Sequence, residues 1–262
     1  MLDSKLGIIG LGYVGTAIKE NCDPIIPLCL IDPDHNKKTT GTYDEIMKCN
    51  GIFVCVPSPS LQDGTCDSSI LEEVLSKLET YNGVIISKTT ITPDIYKNLQ
   101  NKYPNLIYCP EFLTERNCVQ EYAQQNWIIV GGKIEAYQRE AARLISLTKK
   151  ITTIKYCSIE EAAIVKYIIN SFLATKVIFM NEMFALSSKL GLDWQIMKQL
   201  LSLDTRIGKS HLSVPGPDGQ FGFGGSCFPK DTSALLSYAR HLGVNLNILK
   251  EAVQKNTLFR LH

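Results

Sequence analysis

The sequence predicts an α/β protein: a Rossmann-like doubly wound parallel sheet followed by a long central helix and a small helical domain. Three observations carry that prediction. Short apolar runs alternate with amphipathic stretches through the first half. A glycine fingerprint follows the first of those runs. Beyond about residue 150 one long apolar segment, free of glycine and proline, replaces the alternation.

The runs at 5–10, 27–32, 51–57, 84–89, 106–109 and 127–131 are continuously apolar, as strands covered on both faces are. Between them, 13–20, 43–48, 68–80, 93–102, 115–124 and 134–149 read as helices. Strands alternating with helices imply parallel βαβ units. From 158 to 190 the pattern predicts a single helix, with Ser158 and Glu161 as a capping box and Gly191 as its stop. Roughly 32 residues span about 48 Å, the length of a helix that crosses between domains or forms a dimer core. A shorter helix starts at Asp193, a Pro/Gly-rich loop covers 214–225, and helix resumes from Pro229, including 238–240 and 246–257. The expected domains are 1–154, binding a dinucleotide, and 155–262.

The 27 basic and 26 acidic residues leave a net charge of +1, and 45% of the chain is hydrophobic. Disorder is excluded by that hydrophobicity, and a nucleic-acid binder working through a basic face by that balance. No unbroken apolar run reaches the roughly 18 residues of a membrane span. The apolar stretch 6–18 carries four glycines and no cleavage site after it, so it reads as structure rather than a secretion signal. Nine cysteines include no Cys-x-x-Cys pair, which fits buried thiols in a reducing, cytoplasmic setting. The scattered histidines show no metal-ligand spacing, so no metal is expected.

Gly10-Leu11-Gly12-Tyr13-Val14-Gly15 has the G-x-G-x-x-G spacing between a strand and a helix. Its glycines permit the turn, the approach of a pyrophosphate and helix–strand packing, and the helix start offers amides to phosphate. Asp32, at the end of the next strand, is placed to accept from ribose hydroxyls, with Asp34 as the other candidate. No nearby arginine welcomes a 2′-phosphate, so NAD is the expected cofactor. A glycine-rich turn in an unrelated α/β protein is the bland alternative.

Cys227 closes the run Gly222-Phe223-Gly224-Gly225-Ser226 just before a helix, whose N-terminus favours a thiolate. Asp231 follows one turn later on the same face. A buried cysteine in a tight turn is the alternative here, and the preferred reading for the other eight. Lys166 and Asn170 share a face of the long helix and together suit a developing oxyanion. Read alone, Lys166 is better taken as a lysine whose stem lies on the core while its charge reaches water.

Taken together, GLGYVG at 10–15, SKTT at 87–90, PEFLTE at 110–115, KYIIN at 166–170, DTRIG at 204–208 and VPGPDGQFGFGGSCFPKDTSALL at 214–236 resemble the UDP-glucose/GDP-mannose dehydrogenase family, in family order from about residue 5 to about 258. The resemblance implies oxidation of a sugar C6 alcohol to a carboxylate in two hydride transfers to NAD. It makes Cys227 the nucleophile that carries a thiohemiacetal and then a thioester, with Lys166 and Asn170 holding the oxyanion. Asp231 and Thr90 would position a water, and Glu115 would act as base in hydrolysis. The cofactor would be held by Gly10, Gly12, Tyr13, Val14, Gly15 and Asp32, with Thr90 and Glu115 beside it. Glu111, Phe112, Leu113, Phe223, Gly224 and Phe228 would line the nucleotide-sugar site. Arg206 would reach the active site of the other subunit of a homodimer.

Each of these has a plainer reading: Glu111 and Glu115 as helix-start carboxylates, Thr90 as a cap, Arg206 as a surface charge. Three departures from the family stand out. The 32–51 segment is short, Arg116 and Asn117 replace small residues, and the sequence ends before the family's third, α/β domain. Two other functions remain in view, a two-electron β-hydroxyacid-type dehydrogenase and a non-catalytic binder of NAD or nucleotide-sugar.

Overall fold

The computed structural model describes residues 4–34 and 36–261. It divides into two compact units, Met1–Pro59 with Cys66–Lys166, and Ser60–Thr65 with Tyr167–His262.

The first unit holds the strands β1 (Leu6–Ile9), β2 (Leu28–Ile31), β3 (Gly51–Val54), β4 (Val84–Ser87), β5 (Leu106–Tyr108), β6 (Trp127–Gly131) and β7 (Thr153–Cys157). They form one seven-stranded sheet in the order β2-β1-β3-β4-β5-β6-β7. The reversal of strand order beside β1 is the switch point where such sheets bind ligands. β1, β3, β4 and β5 are buried throughout, which is why their runs are continuously apolar.

Two features depart from a wholly parallel sheet predicted from six runs. β5 and β6 pair antiparallel, through Tyr108 and Gly131. Helix α5 between them has only seven residues, about 10 Å of rise, and is no full crossover. The edge strand β7, parallel to β6, was not expected. Its residues Thr153–Tyr156 are exposed, so TIKYC carries no buried-strand pattern.

The helices of this unit are α1 (Tyr13–Asn21), α2 (Tyr43–Ile46), α3 (Ser69–Lys77), α4 (Pro93–Lys102), α5 (Cys118–Gln124) and α6 (Glu135–Ile145). α2 is a single turn closed by a Thr42/Glu45 capping box, in keeping with the short 32–51 segment. α5 begins three residues later than expected, leaving Glu115 in the preceding bend. Leu6, Ile8, Phe53, Ile86, Ile107, Ile128 and Leu144 are among the fully or almost fully buried core.

α7 (Ile159–Lys189) is the long helix, and the division between units falls within it. The Ser158 amide donates to Glu161 Oε2 (2.8 Å) and the Glu161 amide to Ser158 Oγ (3.1 Å), the expected capping box. Gly191, at φ +69°, ends it, where the Leu192 amide returns to the Ser187 carbonyl (3.0 Å). Mean hydropathy and length alone would let α7 cross a membrane. Its polar residues argue for a core helix instead, because Lys166, Asn170 and Asn181 are buried on it with hydrogen-bond partners.

The second unit adds α8 (Trp194–Leu201), α9 (Cys227–His241) and α10 (Asn247–Arg260). Its apolar contacts form two clusters, Ala174, Ile178, Phe223 and Ala252, and Met180, Trp194, Leu212 and Val214. Asp193 caps α8 by accepting from the Gln195 amide (2.7 Å).

Candidate active site

At the end of β1 the chain turns into α1 without a side-chain cap. The helix's first amides are therefore left to a ligand or to water. Gly10 sits at φ +93°, and a Cβ on Gly15 would overlap the Gly10 carbonyl oxygen. A Cβ on Gly12, by contrast, would meet nothing within 4 Å, so the backbone is open where a pyrophosphate would approach. Asp32 Oδ2 accepts from the Leu11 amide, and Oδ1 from the Asp34 amide (2.9 Å). The carboxylate that ends β2 is thus tied to the phosphate turn, whereas Asp34 Oδ1 accepts from Asn36 (2.9 Å). These residues fit a dinucleotide. Exposed Tyr13 and half-buried Val14 follow on α1.

A second assembly in the first unit centres on Glu111, which is 5% exposed. Its carboxylate bridges Lys88 Nζ (3.0 Å) and Lys149 Nζ (3.3 Å), and its carbonyl accepts from Lys166 Nζ (2.6 Å). Lys166 also lies over the Phe112 ring (4.9 Å) and Lys149 over the Tyr122 ring (4.2 Å). Burial pushes the Glu111 carboxyl upward, but the two ammonium charges outweigh it and hold it below the usual carboxylate range. Burial pushes Lys149 below the ordinary lysine value, the Glu111 charge opposing it only in part.

Three of the expected site residues, Glu111, Phe112 and Lys166, therefore meet here. Phe112 stacks on Trp127 (5.1 Å), Leu113 packs on the sheet's core, and Glu115 is half-buried in the bend before α5. The Thr90 carbonyl accepts from Ser58 Oγ (2.6 Å) and Cys66 Sγ (3.4 Å), and α4 takes its N-cap at Thr92 instead. Lys88 and Lys149 escaped the sequence reading. Lys88 directly follows an apolar strand, a place where a buried charge demands a partner.

In the second unit, Cys227 is the first residue of α9 and is exposed. Its sulfur lies 3.6 Å from Ser226 Oγ. One turn on, Asp231 is 1% exposed, and its carboxylate accepts from Asn170 Nδ2 (2.5 Å) and from Lys230 Nζ (2.7 Å). Asn170, expected to act with Lys166, and Asp231, expected to act with Thr90, are brought into direct contact with each other. The other eight cysteines are buried or part-buried. Burial pushes Cys49 and Cys55 up to about 12, and Cys22 and Cys157 up to about 11, so those thiols stay protonated at neutral pH.

Phe228 is half-buried beside His211 (5.6 Å), while the Phe223 ring is 4% exposed and packs in the core, leaving its backbone toward the loop. Arg206 is highly exposed and paired with Asp204 (2.6 Å). It flanks a groove of about 330 Å³ lined also by Phe172, Phe179, Met180 and Ile207. Lys176, unnoticed in the sequence, donates to the Ile207 (2.8 Å) and Ser210 (2.6 Å) carbonyls and fixes the loop that carries Arg206.

Residues 30–150 match the NAD binding domain of the UDP-glucose/GDP-mannose dehydrogenase family, and residues 160–258 its central domain. A UDP-glucose 6-dehydrogenase of Rickettsia bellii (strain RML369-C) is 32% identical over 230 residues, covering 84% of this chain and 52% of that protein. The chain thus spans about half the length of such relatives. A UDP-glucose dehydrogenase structure from the archaeon Pyrobaculum islandicum shares the fold, with TM-score 0.79, 23% identity, and coverage of 97% of this chain and 68% of that one. So does a Mycobacterium tuberculosis 3-hydroxyisobutyrate dehydrogenase, with TM-score 0.76, 16% identity, and coverage of 98% and 94%. With the phosphate turn and its carboxylate in place and both domains matched, the chain belongs to the UDP-glucose/GDP-mannose dehydrogenase family and its cofactor is NAD.

Proposed function

We propose that this protein is a UDP-glucose 6-dehydrogenase, converting the C6 alcohol of UDP-glucose to the carboxylate of UDP-glucuronate. The observation that carries the proposal is the exposed Cys227 at the first residue of α9, with Asp231 one turn on held by Asn170. NAD, which would be held by Gly10, Gly12, Tyr13, Val14, Gly15 and Asp32, would supply the oxidising chemistry as hydride acceptor for two two-electron steps, the alcohol proton passing to water, so two NADH per sugar are expected.

The chain's own groups do the rest. The Cys227 sulfur adds to the C6 aldehyde, and the oxyanion that forms is held by the Lys166 ammonium and the Asn170 amide. After the second oxidation the sulfur carries a thioester. Glu115 takes a proton from the water that attacks it, and the thiolate leaves with the C–S electron pair. Asp231 and Thr90 orient that water. Glu111, Phe112, Leu113, Phe223, Gly224 and Phe228 form the nucleotide-sugar surface, Glu111 through Lys166 and Phe223 through its backbone.

The working protein is a homodimer in this reading. Phe172 (67% exposed), Phe179 (53%), Ile196 (55%), Leu200 (57%) and Leu203 (77%) leave an apolar surface that a second copy would cover. Arg206, at the rim of the adjoining groove, is the residue assigned to the other subunit's site. Nine free thiols support a cytoplasmic setting.

The test is a spectrophotometric screen of UDP-glucose, UDP-N-acetyl sugars and GDP-mannose for NADH formation. Turnover of UDP-glucose with two NADH per sugar is expected. One NADH per substrate would turn the assignment to a two-electron dehydrogenase. Tight NAD binding with no turnover of any sugar would leave a non-catalytic binder.

A further inference from the structure

The glycine loop ahead of Cys227 is gripped by two side chains of α10. Arg260 donates from Nε to the Phe223 carbonyl (3.1 Å), from Nη1 to Asp218 Oδ2 (2.7 Å) and Gln220 Oε1 (2.7 Å), and from Nη2 to the Gly222 carbonyl (3.4 Å). One turn earlier Asn256 holds Phe223 from both sides: Oδ1 accepts from its amide (2.7 Å) and Nδ2 donates to its carbonyl (3.0 Å). Asn181 on α7 accepts from the Gly222 amide (3.0 Å). Loop amides and carbonyls that would otherwise need water are satisfied by side chains. The Phe223 ring anchors the same segment among Ala174, Ile178 and Ala252.

The glycines report the same grip. Gly224 has no positive φ, so its backbone conformation admits a side chain. Yet a Cβ there would stand 2.7 Å from Arg260 Nη2 and 2.9 Å from Cζ. A guanidinium at the end of a free side chain would swing away. This one is held by a planar fork of hydrogen bonds and moves only by breaking them. At Gly222, a Cβ would overlap Asn256 Oδ1. At both glycines the neighbour that excludes a Cβ is α10.

We propose that Asn256 and Arg260 form a latch that sets the glycine loop and thereby fixes the start of α9 at Cys227. Both are positioning residues. Their bearing on catalysis rests on the reading of Cys227 as nucleophile, whereas the latch itself does not. Lysine cannot replace Arg260, because a point charge can answer Asp218 but not two carbonyls and an amide oxygen at once.

The experiment uses the full chain as wild type, Arg260→Met, Gly224→Ala and the double variant. Amide hydrogen exchange at Gly222 and Phe223, and at Asp231 and Thr232 in the first bonded turn of α9, is expected to rise at least tenfold in either single variant. The α9 interior at Ala234 and Leu235 should hold its protection. The double variant should be no worse than Arg260→Met, since the methyl group has lost its obstacle. Turnover of the nucleotide-sugar should fall at least tenfold in kcat, while KM for NAD stays within twofold. Unchanged exchange in Arg260→Met overturns the latch. Effects that multiply in the double variant also overturn it, because Gly224 would then be required by something other than Arg260. A loosened loop with full kcat removes the positioning role. Should the wild-type chain turn over no nucleotide-sugar, the functional reading fails while the exchange data still decide the latch.

Discussion

At Glu111 a buried carboxylate faces the buried ammonium groups of Lys88 and Lys149, with Lys166 on its carbonyl, so positive charge is in excess. Removing the carboxylate strands both cations, and breaking a buried pair costs about 3–5 kcal/mol. Glu111→Gln should therefore lower the chemical-denaturation midpoint sharply, whereas Lys149→Met, which leaves a matched pair, should be neutral or stabilising. The pH dependence follows. Glu111 is held below its ordinary value, so its contribution is complete above about pH 4.3 and is lost as pH falls through the lower folded value. Lys149 is depressed, so its penalty is present at neutral pH and disappears as pH rises through the folded value toward about 10.4. Denaturation curves of Lys149→Met across pH 8–11 should accordingly be flatter than those of the wild type, and an unaltered slope would contradict the depressed value. At Cys227, serine replaces the thiol with a hydroxyl, which is a poorer nucleophile and a poorer leaving group. Cys227→Ser should abolish UDP-glucuronate formation, and undiminished acid in a product assay would refute the thioester route.

Among the elements, α7 depends on its first turn. Ser158 and Glu161 close a reciprocal cap that satisfies two amides at the junction with β7. Ser158→Ala should cost about 1 kcal/mol of stability by denaturant titration, with the loss confined to amide protection in the first turn. α9 is governed differently. Its N-cap Ser226 makes no side-chain cap bond, and the element is instead preceded by a loop tied to α10 and α7. The strand β7 escaped for another reason: at an exposed edge its five residues carry no continuous apolar run like those of the buried strands. The antiparallel entry of β6 is equally silent in the residues, since a strand reads the same in either direction.

For the molecule as a whole, α7, α8 and the residues just past each leave large apolar side chains of the second unit exposed, Phe172, Phe179, Leu190, Ile196, Leu200 and Leu203 among them. A second copy that covers them buries the surface and places Arg206 at the interface. Phe179→Glu should convert a dimer to monomers in light scattering and reduce turnover with it. A wild-type monomer at micromolar concentration would end that reading.

Much of the first unit is legible in the residues alone. Strands buried on both faces must be continuously apolar, and a dinucleotide turn can be made by few spacings, so the sheet, the phosphate turn and Asp32 followed from local rules. The capping box and Gly191 set the limits of α7 for the same reason, because end effects act over a few residues. What lay outside local rules was every pairing across long separations: Glu111 with Lys88 and Lys149, Asn170 with Asp231, and Arg260 with a loop some forty residues earlier. Such contacts are set by which surfaces the tertiary packing brings within a few ångströms, and no periodicity records them. The types of residue needed for chemistry were thus written in the chain, while their partners, and the reason Gly224 is a glycine, were decided only by the fold.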